Sequence, residues 1–176
     1  MAATVATYFY SGVGGTGAVA TNLRFKLADD NTQDANNPNV KPAAGTNLSF
    51  WKVMALYCTV APDTAINNVK LYTDGALAWT GCFVYVGDET PAAYSQATGA
   101  GDSGNAMIAN YGGGGVITAQ TSLFTYTSGA TKAITGSIGA ATGKITNYVV
   151  LQLSVGTTAV GGAQAAETIT WQYDET

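Results

Sequence analysis

The sequence predicts an all-β fold: a two-layer antiparallel β-sandwich, Ig-like or jelly-roll-like, with long Gly-, Ala- and Asn-rich loops. Short runs rich in β-branched and aromatic residues recur along the chain, and Gly-rich or Pro-containing turns separate them. No apolar i, i+3, i+4, i+7 pattern persists over three helical turns. A chain of 176 residues is long enough to bury one core, so we expect a single domain over residues 1–176.

The first half of the chain contains five predicted strands, at residues 4–10, 22–27, 48–60, 66–72 and 78–87. Pro62 and Asp63 lie between the third and fourth predicted strands and end the third. This predicts either a β-hairpin or a corner between two sheets. In residues 22–27, alternation places Leu23, Phe25 and Leu27 inward and Asn22, Arg24 and Lys26 outward. Both faces of residues 78–87 are apolar, which predicts a central strand covered on both sides.

A glycine-rich run, residues 11–17, follows the first strand. Residues 1–17 are therefore either an ordinary first strand of the domain or an N-terminal arm on a glycine hinge that pairs with a neighbour.

The second half predicts strands at residues 116–127, 133–138, 144–155 and 167–173, with a short one at residues 106–111. Gly112 to Gly115 separate the short strand from the next. The strand over 144–155 has the clearest pattern, with Val149, Leu151, Leu153 and Val155 on one face. In the last strand, Ile169, Trp171 and Tyr173 share a face.

Composition excludes several functions. Charged residues make up 10% of the chain, against roughly 25% in ordinary domains, so either other proteins cover its surface or that surface is neutral and rich in Thr, Ser and Asn. Only seven basic residues and a net charge of −4 argue against a nucleic-acid partner. The chain has no His, which removes the commonest general base. We predict no catalytic residues, no cofactor and no enzymatic activity.

The loop over residues 29–46 begins with a cluster of Asp and Asn that could supply oxygen ligands to a hard cation. It lacks the central Gly and closing Glu of an EF-hand, and such clusters also build turns. We predict no metal site there, with calcium as the open alternative.

Two cysteines, Cys58 and Cys82, lie in strand-like runs and are predicted to be buried free thiols, with a disulfide between the sheets as the alternative. The N-terminus has no basic segment followed by an apolar one, so no signal peptide is predicted. No apolar run approaches the ~20 residues of a membrane span, so a membrane partner is not expected.

The aromatic residues are the remaining candidates for binding. Trp51, Trp79 and Trp171 are predicted to be core residues rather than sugar-stacking platforms. Tyrosines near Gly-rich segments are the candidate interface residues, because Tyr is enriched where protein chains meet. They are Tyr8, Tyr10, Tyr94, Tyr111 and Tyr126.

Two segments, residues 23–75 and 146–176, resemble small β-sandwich virion proteins of tailed bacteriophages. The shared features are a polar loop with Asn-Pro and a later Pro-x-x-Gly, an aromatic strand, and a strand with Ile-x-Asn that ends in Asp-Gly. The resemblance implies a virion protein made in the host cytoplasm, which serves as a head decoration or cement protein or as a tail or fibre part. It offers no catalytic residues.

We therefore expect a capsid decoration protein whose partners are the major capsid protein or other virion proteins. It should form a homo-oligomer, which is a trimer if it sits at capsid three-fold positions. The alternatives are a tail, collar or fibre component, a filament subunit that exchanges its N-terminal strand, and a carbohydrate-binding module.

Overall fold

The computed structural model describes residues 2–100, 103–111 and 117–176, and it is nearly all β, with two main antiparallel sheets and one small two-stranded one. The predicted all-β sandwich is confirmed. Its strands are β1 (Thr4–Ser11), β2 (Thr16–Val19), β3 (Thr46–Leu48), β4 (Lys52–Val60), β5 (Ala65–Tyr72), β6 (Cys82–Gly87), β7 (Gly99–Ala100), β8 (Ser103–Gly104), β9 (Gln120–Ser122), β10 (Lys132–Ala133), β11 (Ile138–Gly139), β12 (Gly143–Lys144), β13 (Val149–Gly156) and β14 (Thr170–Glu175). One helical turn, α1 (Met107–Asn110), and one 3₁₀ turn (Leu123–Thr125) complete the described structure.

The larger sheet has the strand order β2-β1-β4-β13-β6-β9, with β12 also paired to β4 and β3 also paired to β13. The first strand therefore pairs within its own chain: β1 forms a hairpin with β2 and an antiparallel ladder with β4. The glycine run after β1 forms the hairpin turn, where Gly12, Gly14 and Gly15 have positive φ. Glycine adopts that backbone region without a steric penalty, so the turn suits this sequence.

The smaller sheet is built around β5, which pairs with β10 and β11 on one side and with β14 on the other. Because β4 and β5 belong to different sheets, the chain between them is a sheet-to-sheet corner and not a hairpin. The buried Pro62 lies in this corner, where its missing N–H interrupts the ladder of β4.

An apolar inner core fills the space between the sheets. The predicted inward face of β13 is confirmed, because Val149, Leu151, Leu153 and Val155 are all buried there. Residues of the smaller sheet that face them include Ile66, Val69 and Leu71. Ile169, Trp171 and Tyr173 pack against this core from the last part of the chain, as their shared face predicted.

A second, outer core lies on the opposite face of the larger sheet, under the segment that contains β7, β8 and α1. Its buried residues are Tyr10, Trp51, Val53, Ala55, Ala97, Met107, Tyr111, Ile117 and Val150. The buried Gln152 of β13 fixes the segment to the sheet: its amide nitrogen donates to Ser49 O (2.8 Å) and Asn105 O (2.7 Å), and its oxygen accepts from Met107 N (3.0 Å). Every polar atom of this buried side chain is therefore paired.

Several predicted elements are wrong in detail. Residues 22–27 are not a strand, because their backbone pairs irregularly: Leu27 N donates to Asn37 O (2.7 Å), and Asn39 donates to Phe25 O (2.9 Å). The predicted strand over 48–60 is two strands, β3 and β4. Residues 106–111 contain a helical turn rather than a strand. Within residues 78–87 only β6 is strand, and Phe83 is 55% exposed, so one face is not fully covered.

The later strands are shorter than predicted. In the described part of residues 116–127 the only strand is β9, and the 3₁₀ turn follows it directly. Residues 133–138 contribute only the ends of β10 and β11. The predicted glycine break at 112–115 lies outside the described residues.

Candidate functional site

The five predicted interface tyrosines lie in two places. Tyr8, Tyr10, Tyr94 and Tyr111 lie on the outer side of the larger sheet, around the outer core. Tyr126 lies apart from them, at the end of the 3₁₀ turn, where it packs against the inner core and Lys132 Nζ lies 5.5 Å from its ring centre. The sequence therefore identified four members of one aromatic layer and one unrelated residue.

Tyr148 joins this aromatic layer, although the sequence did not indicate it. Its ring packs edge-on against Tyr10, with ring centres 5.0 Å apart, and against Tyr94 at 6.1 Å. Tyr111 packs against Trp51 at 5.9 Å. Burial, followed by neighbouring tyrosines, raises the pKa of Tyr10 to about 12, and burial raises that of Tyr111 to about 12. Both phenols therefore stay neutral throughout the physiological range.

The hydroxyl groups of this layer hold loops onto the sheet. Tyr111 Oη donates to Ala93 O (2.8 Å) and accepts from Ser95 N (3.2 Å). Tyr94 Oη donates to Gly12 O (3.1 Å), and its ring lies where a Cβ on Gly15 would have to sit. Burial, followed by the charge of Asp29, raises the pKa of Tyr94. Tyr10 and Tyr111 are buried within the chain itself, and the interface role of all five tyrosines stays a prediction.

Two buried lysines organise the acidic loop, which we define as residues 29–37. Lys26, predicted to face solvent, is 2% exposed, and its ammonium contacts Asp30 Oδ1 (2.7 Å) and Asp34 Oδ1 (3.1 Å). Burial alone would lower the pKa of Lys26, but the hydrogen bonds to both carboxylates raise it. The same contacts lower the pKa of Asp30 and Asp34 against the opposing effect of desolvation. All three groups are therefore ionised at neutral pH.

Lys52 is the second of these lysines and is fully buried. Its Nζ donates to Ala28 O and Asp30 O, both at 2.7 Å, and lies 5.5 Å from the ring centre of Phe9. Desolvation lowers the pKa of Lys52 to about 8. The acidic loop therefore directs its oxygen atoms at two ammonium groups of its own chain.

Asp29 links the acidic loop to the β1–β2 hairpin, because its Oδ2 accepts from Gly12 N (2.8 Å). Within residues 2–100, 103–111 and 117–176, no group of three or more Cys, Asp or Glu side chains is arranged to hold a metal ion. The calcium alternative gains no support from this arrangement of carboxylates around lysines.

The two cysteines are free thiols in different surroundings. Cys58 is buried in β4, where its thiol donates to Val60 O (3.0 Å), whereas Cys82 is only half-buried. Burial raises the pKa of both thiols. The prediction of free thiols is confirmed, and the prediction that both are buried holds for Cys58 alone.

A strand edge and a cavity are further candidate binding features among the described residues. The edge belongs to β2, the last strand on its side of the larger sheet, where Val19 is 58% exposed; Val13, at the tip of the same hairpin, is 91% exposed. The cavity, of about 530 Å³, lies between the two sheets at one end of the sandwich, and its lining includes Trp79 and Trp171. Trp51, by contrast, is buried in the outer core, so its surroundings differ from those of the other two tryptophans.

Comparisons with protein-family models, with curated proteins and with solved structures found no match. In the part of the chain that the structure describes, no helix has the length and apolar character needed to cross a membrane.

Proposed function

We propose that this chain is a non-enzymatic structural protein of a tailed-bacteriophage virion, and specifically a capsid decoration or cement protein that binds across joints between capsid subunits. The virion context rests on the sequence resemblance. Docking onto other protein chains is supported by one structural observation, the unprotected edge of β2.

The hydrogen-bond pattern identifies the free backbone groups of this edge. Ala20 N donates to Thr7 O (3.0 Å), and Ala18 and Thr16 follow at alternate positions opposite β1. In an antiparallel ladder, alternate residues direct both backbone groups towards one neighbour. Gly17 and Val19 therefore direct their N–H and C=O groups away from β1, where no described strand pairs with them.

The β2 edge also lacks the features that normally block pairing. Edge strands are protected by charged residues, proline or bulges. The sequence of β2 is Thr-Gly-Ala-Val, with none of these. The edge strand β14 differs, because it carries Asp174 and Glu175 and has a register shift between Gln172 and Asp174. An unpaired, uncharged edge suits strand addition by a partner chain.

The energetic basis of a cement function would be modest for each contact and large over a shell. Burying Val13 and Val19 would remove apolar surface from water at roughly 25 cal/mol per Å², less the cost of association. Repetition over a symmetric shell would then multiply weak contacts through avidity. The low charge of the chain is consistent with a surface that other chains cover.

The test is to strip the protein from purified particles and add it back. We expect the shell to regain heat and shear resistance, with saturation at a fixed ratio of this chain to shell subunits. Val19→Pro removes an outward N–H, worth about 1 kcal/mol per copy, without touching the β1 ladder, so it should bind more weakly. Val19→Ala is the matched control, since it keeps the N–H and loses only the side chain.

Two results would contradict the proposal. Equal binding of Val19→Pro and Val19→Ala would remove the β2 edge from the interface. A chain that ignores shells and is recovered only in tails would favour the tail-component or filament alternative, in which the same edge pairs with a different partner.

A further inference from the structure

We propose that the cavity between the sheets, here called the end cavity, is a binding site for a small amphipathic molecule with an apolar body and an anionic head group. This inference does not depend on the virion function, because it concerns what the isolated chain binds. The volume of the end cavity, about 530 Å³, lies in the range of roughly 300–1,000 Å³ typical of small-molecule sites.

The walls of the end cavity are mainly apolar and aromatic. The larger sheet contributes Phe9, Met54, Leu153 and Val155, which are buried but keep 3–7% exposure, whereas Leu71 and Ile66, deeper between the sheets, have none. Phe25, Trp79, Phe124 and Trp171 add aromatic surface. Both indole N–H groups are already used, Trp79 donating to Ala165 O (2.7 Å) and Trp171 to Thr7 Oγ1 (3.0 Å). These walls therefore favour an apolar body over a polar one.

The first polar feature is Asn39, which lines the cavity. Its Nδ2 donates to Phe25 O at 2.9 Å, which fixes the orientation of the amide. Its Oδ1 is buried without any hydrogen-bond partner. Unpaired buried acceptors are rare in folded proteins because they lose their hydration without compensation. Because Oδ1 has practically no accessible surface, no ligand atom in the cavity can reach it, so Asn39 forms part of the wall and does not bind the head group.

The second polar feature is Arg24, which neighbours Phe25 and also lines the cavity. Its side chain is half-buried, and within the described residues its guanidinium has no hydrogen bond or ion pair. The nearby Lys26 differs, since two carboxylates already neutralise it. An unpaired, half-buried guanidinium on the wall of an apolar cavity fits an anionic head group attached to an apolar body.

The segment over residues 157–168 covers one side of the cavity and offers a route of entry. Its C-terminal part is held by the Trp79–Ala165 hydrogen bond and by Glu167 Oε1, which accepts from Ala78 N (2.7 Å). Between these anchors and Ala159, the segment is exposed, and a Cβ placed on Gly161 or Gly162 would meet nothing within 4 Å. Displacing this middle part would break few contacts.

The test uses two probes below their micellar concentrations, dodecanoate and dodecan-1-ol. Binding to the full chain is measured by calorimetry and by tryptophan fluorescence. We expect dodecanoate to bind about tenfold more tightly than dodecan-1-ol, one charge-assisted hydrogen-bonded group being worth about that factor. Arg24→Gln should abolish the preference for the carboxylate.

Two further variants test whether the probes bind in the end cavity. Ala163→Trp places a bulky side chain at an exposed position lining the cavity, so it should fold and lose binding, whereas Lys70→Gln, outside the cavity, should bind like the natural chain. Circular dichroism checks that each variant is folded. The proposal is overturned if the folded natural chain binds neither probe, if Ala163→Trp binds as well as the natural chain, or if Arg24→Gln keeps the preference for the carboxylate.

Discussion

Substituting the fully buried Lys52 by Met should change how stability depends on pH. Lys52 is 0% exposed, and its ammonium donates to Ala28 O and Asp30 O at 2.7 Å. Desolvation lowers its pKa to about 8, against about 10.4 in an unfolded chain. Between these two values the unfolded state binds more protons at this position than the folded state does. Stability from Lys52 therefore rises with pH in that window, as the cost of burying the charge is relieved.

The size of the effect follows from linkage. From pH 7 to pH 9.5, a shift from about 10.4 to about 8 raises the free energy of unfolding by about 2 kcal/mol. This is an upper limit, because the two carbonyl groups at 2.7 Å favour the charged form. Tyr10, Tyr111 and both cysteines have raised pKa values and act in the opposite direction as pH rises. These contributions are the same in the natural chain and in Lys52→Met. The difference between the free energies of unfolding of these two proteins therefore reports on Lys52 alone.

Urea unfolding at pH 7, 8, 9 and 9.5 is the assay. We expect the natural chain to gain up to about 2 kcal/mol relative to Lys52→Met between the two ends of this range. The control is Lys70→Met, at a half-buried position on β5 away from the acidic loop, whose curve should run parallel to that of the natural chain. A difference between the natural chain and Lys52→Met that stays constant with pH would refute the interpretation that the folded chain holds a desolvated ammonium.

Three further predictions concern the thiols, the acidic loop and one glycine. Cys58 should resist thiol reagents in the native protein while the half-buried Cys82 reacts slowly, and denaturation without reductant should reveal two thiols; finding none would mean a disulfide. EDTA should leave the melting temperature unchanged because lysines occupy the acidic loop, and a calcium-reversible drop would restore the metal alternative. Gly104→Ala should cost about 1–3 kcal/mol in urea unfolding, since its Cβ would lie 2.2 Å from Ser49 O. Gly129→Ala, with nothing within 4 Å, is its control, and equal stability of the two variants would contradict the packing described here.

The sequence was informative where side-chain pattern and environment agree. Along β13, alternate apolar residues from Val149 to Val155 face a continuous core, so a period of two was sufficient to assign the strand and its inward face. The Pro62 corner was predictable as one of two alternatives, because proline interrupts a ladder but does not determine which sheet receives the next strand.

The alternation of apolar and polar residues predicted the wrong structure where contacts from a loop take the place of a neighbouring strand. Residues 22–27 alternate as an edge strand would, yet carboxylates four and eight residues later draw Lys26 inward. A lysine followed at those spacings by two Asp residues was a signal available in the sequence. Lys52 lies within an apolar strand, and its partners are backbone carbonyls, which no residue pattern reveals.

The candidate site was only partly predictable because segments distant in the sequence cover it. Proximity to glycine located four tyrosines of the aromatic layer, but burial of Tyr10 depends on a segment that folds over it from far along the chain, and Tyr111 belongs to that segment. The end cavity depends on how residues 157–168 cover the sheets, which composition does not determine.

Amide hydrogen exchange at β2, measured on the free chain and on the chain bound to particles, tests docking through the β2 edge most directly. In the free chain, Thr16 and Ala18 should be protected by β1, while the outward N–H groups of Gly17 and Val19 should exchange fast. On the particle, Gly17 and Val19 should become protected as a partner pairs with the edge. Unchanged fast exchange at both positions on the particle would contradict docking through the β2 edge.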